Sequence, residues 1–217
     1  MKTFLSIGSG PGLAYATAER FAKEGFRIVF SARTATKTQQ LAERLEAKGH
    51  KAIARTVDSA DPNSVAALIT ELERDFGSID VLHYTPAAMR KATITEQPLD
   101  TFIPDLALNI GGALAATQTV LKKMLERRSG TILLTGGGYA LEPNPERISL
   151  SIGKAGIRAL TLGLFEPLKA LGVHIASVMV MDTVLPESAD AAGIGDHFWK
   201  LHDQPIGSWT AEVKYSS

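Results

Sequence analysis

Two groups of residues in this chain have types and spacing suited to chemistry. One is a run of glycines near the N-terminus; the other is a handful of proton donors and cations further along. The stretch "FLSIGSGPGLAYATAERFA", residues 4–22, begins apolar, turns through Gly8, Ser9, Gly10 and Gly12, and continues from Leu13 in helical spacing. Glycine allows positive φ and lets main-chain amides come close to a ligand. A helix start adds unpaired N–H groups and the positive end of a dipole. Strand, glycine turn and helix in that order suit the pyrophosphate of a dinucleotide. A tight turn with no ligand is the plain alternative, although three glycines within residues 8–12 exceed what a turn needs. Downstream, Tyr84, Tyr139 and Lys154 carry protons that can be exchanged and Asn109 an amide able to hydrogen-bond, and a phenol drawn toward neutral pH by a nearby cation is an ordinary acid–base catalyst. Each has a structural alternative: packing for the tyrosines, a solvated helix lysine for Lys154. Asn109, ahead of Ile110, Gly111 and Gly112, is open to reading as a mere helix irregularity. His83 reads more readily as a hydrogen-bonded strand residue than as a catalyst.

These residues are positioned by alternating elements. Apolar runs at 3–7, 27–32, 51–57, 80–84, 131–135 and 173–180 read as buried strands, separated by helical patterns at 12–24, 35–48, 62–76, about 98–128 and 147–171. Asp61 and Pro62 mark a helix start, and Gly25, Gly49 and Gly77 mark helix ends. Strands so separated need crossovers, which gives a doubly wound parallel sheet between two helical layers, an α/β/α sandwich. No linker or repeat interrupts residues 1–217, so one domain is expected. Past residue 181 the pattern weakens: "DTVLPESADAAGIGD" reads as a mobile loop, "HFWKLH" as a short helix and "AEVKY" as a last strand. Phe198, Trp199, Leu201 and Trp209 give that tail enough apolar area to dock on the core.

The spacing Gly8-x-x-x-Gly12-x-Ala14 resembles the GxxxGxG of the short-chain dehydrogenase/reductase family, with alanine at the third glycine. Further marks follow in register: Asp58 in "RTVDSADPNSV", "IDVLHYTPA" in the place of DVLVNNAG, Asn109 in "LALNIGG" and Lys154 in "SIGKAGIRAL". The likeness runs from residue 3 to about 180 and implies a Rossmann-type fold with a nicotinamide coenzyme. It places Gly8, Ser9, Gly10, Gly12, Leu13, Arg33, Asp58, Ser59, Thr85, Lys154 and Thr183 against that coenzyme, with Asp182 beside Thr183. The second strand ends in "FSARTATK", where Arg33 stands among Ser31, Thr34 and Lys37 and no acidic residue awaits a ribose hydroxyl. A guanidinium fork suits a 2′-phosphate, so NADP(H) is expected over NAD(H).

In the family a tyrosine exchanges the proton, a serine holds the substrate oxygen, and a lysine binds the nicotinamide ribose and tunes the tyrosine. Four residues before Lys154 stands Leu150, and thirteen before that stands Gly137. Leucine has no proton to exchange and glycine no side chain to donate. One reading is an oxidoreductase on a carbonyl or alcohol whose acid has moved, to Tyr139 or Tyr84, with Ser149 and Ser151 flanking Leu150. A second is a coenzyme-binding sensor or partner subunit that does not turn over, for which the ribose contact of Lys154 suffices; a third, non-redox chemistry on a bound sugar or acyl compound, has no specific residue in its favour. The segment after the sixth strand, about 181–210, lacks the family's Pro-Gly turn and is short.

Bulk properties exclude other classes. The chain has 217 residues, 45% apolar and 21% charged, with zero formal net charge and no long basic run, so nucleic acid and anionic membrane are poor partners. The absence of cysteine excludes disulfides, thiolate catalysis and cysteine-bound metal, and five scattered histidines suggest no metal site. The apolar run at 4–7 is short for a signal peptide, and no apolar stretch is expected to approach the ~20 residues of a membrane span. A cytoplasmic protein is expected. The resemblance implies a homodimer or homotetramer; the small-residue stripe Ala113, Ala116, Thr117, Val120, Leu121 and Met124 suits a pairing face and equally suits burial in the core.

Overall fold

Strands covered on both faces bury both rows of side chains and are largely apolar, and β1 (Thr3–Ile7), β4 (Val81–Tyr84) and β5 (Thr131–Thr135) are buried at every residue. They belong to a computed structural model that describes residues 1–216. Around them lie β2 (Arg27–Ala32), β3 (Ala52–Thr56), β6 (His174–Val180) and β7 (Glu212–Tyr215). The order is β3-β2-β1-β4-β5-β6-β7, with every neighbouring pair parallel. From β1 the chain builds outward to β3 on one side, then returns to lay β4 on the other. That reversal opens a crevice at the carboxyl ends of β1 and β4, where open α/β sheets bind ligands. Ile7 pairs with Tyr84, and the Thr85 amide donates to the Ile7 carbonyl at 3.1 Å, so the loops beginning at Gly8 and Thr85 leave the sheet side by side.

The helices between strands form two layers. On one face α3 (Pro62–Phe76), α5 (Gly112–Glu126) and α6 (Ile148–Ala170) bury Val65, Ile69, Leu72, Val120 and Ile157 against Leu5, Leu82 and Ile132. On the other, α1 (Leu13–Lys23), α2 (Ala35–Glu46) and α7 (Ala189–His202) bury Phe21, Leu41, Leu45 and Phe198 against Phe4, Ile28 and Phe30. Helix starts follow local rules. The Asp61 carboxylate accepts from the Asn63 amide at 2.9 Å, with Pro62 in the first turn.

Three expectations change, and one open alternative is decided. The long helix near 98–128 is α4 (Leu99–Leu106), a π-helical turn at Ala107–Gly111 and then α5. The region read as a mobile loop through residue 196 is helical from Ala189. Ser188 caps it, accepting from the Ala191 amide at 3.1 Å, and Ile194, Phe198 and Leu201 bury one stripe. The tail docks as expected, with Trp199 edge-on to Phe21 at 5.1 Å and Trp209 stacked on His174 at 4.6 Å. The stripe Ala113, Ala116, Thr117, Val120 and Met124 faces the core, so it is closed to a partner, and α5 instead exposes Leu114. By length and composition alone, the 23-residue α6 would cross a membrane. In the fold it is instead a core-packing helix with Leu150, Ile157 and Leu168 buried, while Ile152 and Leu162 stay exposed.

Candidate functional site

The glycine turn is fixed by contacts that only glycine allows at one position. Gly8 has φ +84°, and a Cβ there would lie 2.5 Å from Cγ of the Pro86 ring. The Gly8 and Ser9 amides both donate to the Ser31 carbonyl at 2.9 Å. The Ser9 hydroxyl donates to the Ser6 carbonyl at 3.0 Å and accepts from the Ser31 amide at 3.1 Å. Gly8 and Ser9, both predicted as ligand contacts, are therefore rivets between β1 and β2, because their polar groups are consumed inside the protein. The predicted donors lie further on. No side chain caps α1, and among the described residues the amides of Gly12 and Leu13 have no hydrogen-bond partner. A Cβ on Gly10 would meet nothing within 4 Å, so no protein atom requires glycine there and the space above it is open.

Beside this turn lies a cavity of about 300 Å³. Of the predicted residues it brings together Leu13, Thr85, Tyr139, Lys154 and Thr183, along with Asp182. Thr85 and Ala87 come from the loop after β4, and Tyr139 from the 3₁₀ turn Gly138–Ala140 after β5. Leu150 and Lys154, four apart on α6, share one face and both border it. The Lys154 Nζ donates to the Thr135 carbonyl at 2.7 Å, and burial lowers its pKa to about 8. Its stem runs past Gly137, where a Cβ would stand 3.5 Å from the lysine Cδ and Cε. Met89, Val180, Met181 and Val184 make the remaining wall apolar.

Arg33 is exposed and lines a second groove, of about 600 Å³, with Ala60, Ala88 and Asp105. Ala87 and Met89 belong to both walls, so the two depressions adjoin. Among the described residues Arg33 makes no ion pair or hydrogen bond. Asp58 is exposed; one carboxylate oxygen accepts from the Ala60 amide at 3.0 Å in a tight local turn. Ser59 is buried, and its carbonyl faces the Tyr84 hydroxyl at 3.5 Å.

Two predicted catalytic residues do not reach the cavity. Tyr84 is 1% exposed, its hydroxyl donates to the Leu108 carbonyl at 2.6 Å, and burial raises its pKa. Side chains alternate along a strand, and this one points into the core under α5, so Tyr84 is no relocated acid. Asn109, in the π-helical turn, is 2% exposed; it accepts from the Ala88 amide at 2.6 Å and donates to the Ser149 carbonyl at 3.4 Å. It joins the loop after β4 to the start of α6, the neighbours of Ala87 and Leu150 on the cavity wall. His83 is buried between Ser6 and Thr135, and desolvation lowers its pKa to about 3, so it stays neutral. Ser149 and Ser151 also turn inward, Ser151 to the Arg147 carbonyl at 3.0 Å.

Sequence reasoning missed Asp105. Its buried carboxylate accepts from Arg90 Nε at 2.7 Å, the Ser149 hydroxyl at 3.0 Å and Gln97 Nε2 at 3.3 Å. It thereby ties the 90–97 segment to α6. Its only sequence signal is a position four residues before Asn109. Also missed were Pro186, 3.8 Å from the Cβ position of Gly12, and Glu187, paired with Arg44 at 2.9 Å; together they lay the segment after β6 across the start of α1.

The profile of the family described as short chain dehydrogenase matches residues 2–189. The chain belongs to this family. An uncharacterized oxidoreductase of Staphylococcus saprophyticus is 27% identical over 193 residues, 87% of this chain and 82% of that protein. The fold matches that of a metagenomic short-chain oxidoreductase in complex with NADP, with TM-score 0.90 and 19% identity over 99% of this chain and 96% of that one. It also matches an NAD+-bound xylitol dehydrogenase, with TM-score 0.78 and 24% identity over 83% of this chain and 70% of that one. This short-chain dehydrogenase thus has the oxidoreductase family's seven-stranded parallel sheet, and the family's nicotinamide coenzyme fits its uncapped α1 amides and the open space over Gly10.

Proposed function

We propose that the protein is an NADP(H)-dependent oxidoreductase acting on a small carbonyl or alcohol compound at the Lys154 cavity. The observation that carries this reading is the Lys154 cavity lying beside the uncapped start of α1, with Leu13 on its wall. The unpaired amides of Gly12 and Leu13 suit the pyrophosphate, and the dipole of α1 favours its charge. Lys154 suits the nicotinamide ribose, Thr85 and Thr183 border the same cavity, and Asp58 and Ser59 stand on the adenine side. When bound, the coenzyme supplies or accepts hydride. The protein's own residues bind and orient it, and the apolar wall of Leu150, Met181 and Val184 keeps water from the reacting face.

Similar folds hold NADP in one case and NAD+ in another, so the choice between them rests on the end of β2. There Arg33 is exposed and unpaired among the described residues, with Lys37 one helical turn on and no carboxylate in 31–37. Gly137 and Leu150, in place of an oxygen-holding serine and a proton-exchanging tyrosine, favour a second reading: a sensor or partner subunit that binds coenzyme without turnover. Of the two phenols considered as replacement acids, only Tyr139 borders the cavity. Exposed Leu99, Ile103, Leu114, Ile152 and Leu162 on α4, α5 and α6 support a homodimer or homotetramer.

Fluorescence titration with NADPH and NADH tests the first reading. NADPH should bind at least about tenfold more tightly, as a charge-assisted contact to a phosphate implies. Equal or tighter NADH binding defeats the preference, and binding of neither defeats the coenzyme assignment. Binding without NADPH oxidation across a carbonyl panel favours the sensor.

A further inference from the structure

We propose that the Lys154 cavity takes quinones, flat conjugated diketones, in preference to saturated ketones; this rests on the coenzyme-dependent reading above. The first ground is the lack of an acid coupled to the ammonium group. Among the described residues Lys154 Nζ bonds only the Thr135 carbonyl. Leu150, one turn earlier on α6, and Gly137, beside the lysine stem, bring no hydroxyl. The Thr135 hydroxyl is engaged with His83 at 3.3 Å, and no hydrogen bond joins Tyr139 to Lys154 among the described residues. A saturated ketone that accepts hydride becomes an alkoxide about as basic as hydroxide, and it needs a proton in the same step. A quinone becomes a hydroquinone monoanion, a phenolate roughly six powers of ten less basic. Such an anion persists beside a cation until water protonates it.

The second ground is the wall. Met89 and Met181 border the cavity with Leu13 and Leu150. Thioether sulfur packs favourably against aromatic rings, and methionine adapts to a flat guest. In the reaction the quinone gains two electrons and one hydrogen as hydride from a reduced nicotinamide, which is thereby oxidised. One quinone C=O gains the hydrogen and becomes C–OH, the electron pair passes through the ring so that the other C=O becomes C–O⁻, and that anion takes its proton from water, leaving hydroxide. Lys154 holds positive charge near that oxygen and need not surrender a proton.

The test compares 1,4-naphthoquinone with cyclohexanone as NADPH-dependent substrates of the wild-type protein, beside calorimetric binding of 2-naphthol and cyclohexanol to coenzyme-free protein. The quinone should show kcat/KM at least about 100-fold above the ketone, the span that a positioned acid would otherwise close. The aromatic alcohol should bind at least about tenfold more tightly than the saturated one. A Gly137→Ser, Leu150→Tyr double variant should gain cyclohexanone reduction, since residue 137 has an extended φ of −178° that any residue adopts. Comparable rates for both substrates, ketone reduction alone, or equal binding of the two alcohols overturns the proposal. NADPH binding with no quinone reduction overturns it while leaving the coenzyme assignment intact. Failure of NADPH to bind overturns both.

Discussion

Replacing Lys154 with methionine should make the protein more stable at neutral pH while weakening its grip on coenzyme. Burial lowers the Lys154 pKa from the ordinary 10.5 to about 8. At ~1.36 kcal/mol per pH unit, keeping the ammonium charged in the fold at pH 7 opposes folding by about 3 kcal/mol. Part of the side chain borders the open cavity, so this figure is an upper bound. Methionine fills a similar volume but forfeits the charge-assisted bond to the Thr135 carbonyl at 2.7 Å, worth roughly 1.5–3 kcal/mol. The net expectation is a gain of at most about 1.5 kcal/mol. The sign has a pH signature. The folded pKa of this base lies below its unfolded value, so between about 8 and 10.5 the unfolded chain binds more protons, and wild-type stability rises with pH across that window. The advantage of K154M should therefore be full below pH 8 and gone near pH 10.5. Urea unfolding of both proteins at pH 7 and near pH 10.5 measures it, and NADPH titration reads the functional loss. A variant less stable at pH 7, or one whose advantage is the same at both pH values, refutes the desolvation argument.

Gly8→Ala should destabilise by about 3 kcal/mol, combining left-handed backbone strain with overlap on Pro86; an unchanged urea midpoint would mean that the turn relaxes freely. Arg33→Ala should weaken NADPH roughly tenfold and leave NADH unaffected, and parallel loss of both would show that Arg33 does not meet the 2′-phosphate. His83 should make the fold acid-sensitive. Its folded pKa of about 3 lies below the ordinary 6.5, so its contribution is intact above 6.5 and falls as pH drops toward 3. Between pH 7 and pH 5 wild type should lose about 2 kcal/mol relative to His83→Gln, which cannot titrate; identical acid unfolding of the two would contradict this. Light scattering at micromolar concentration should give a dimer or tetramer mass, and a monomer mass would leave the apolar faces of α4, α5 and α6 without the partner proposed for them.

The alternation of short apolar runs with helical spacing was enough to specify a parallel sheet, because strands joined through helices have no other way to pair. The glycine turn was legible for the same local reason: Gly8 needs positive φ, and a helix start leaves amides unpaired, whatever surrounds them. Leu150 and Gly137 were likewise visible by counting back from Lys154, since spacing along one helix and one strand survives folding. The direction of a side chain depends on neighbours distant in sequence, and there the sequence was silent. Tyr84 and Tyr139 look alike as phenols, yet one is held under Leu108 and the other borders the cavity, because the strand's alternation is registered only against a sheet partner. Ser9 and Asn109 were read as facing ligand or substrate, and the tertiary structure spends their polar groups on Ser31, Ala88 and Ser149. Asp105, with three donors gathered from residues 90 to 149, exists as a site only once α4 lies against α6. The stripe on α5 has a periodicity that fits either a core or a partner, and only the packing of α3 over it decided for the core. Local backbone chemistry set the elements and the coenzyme turn. The burial that neutralises His83, depresses Lys154 and turns Tyr84 inward comes from the assembled layers, because desolvation is a property of everything around a group.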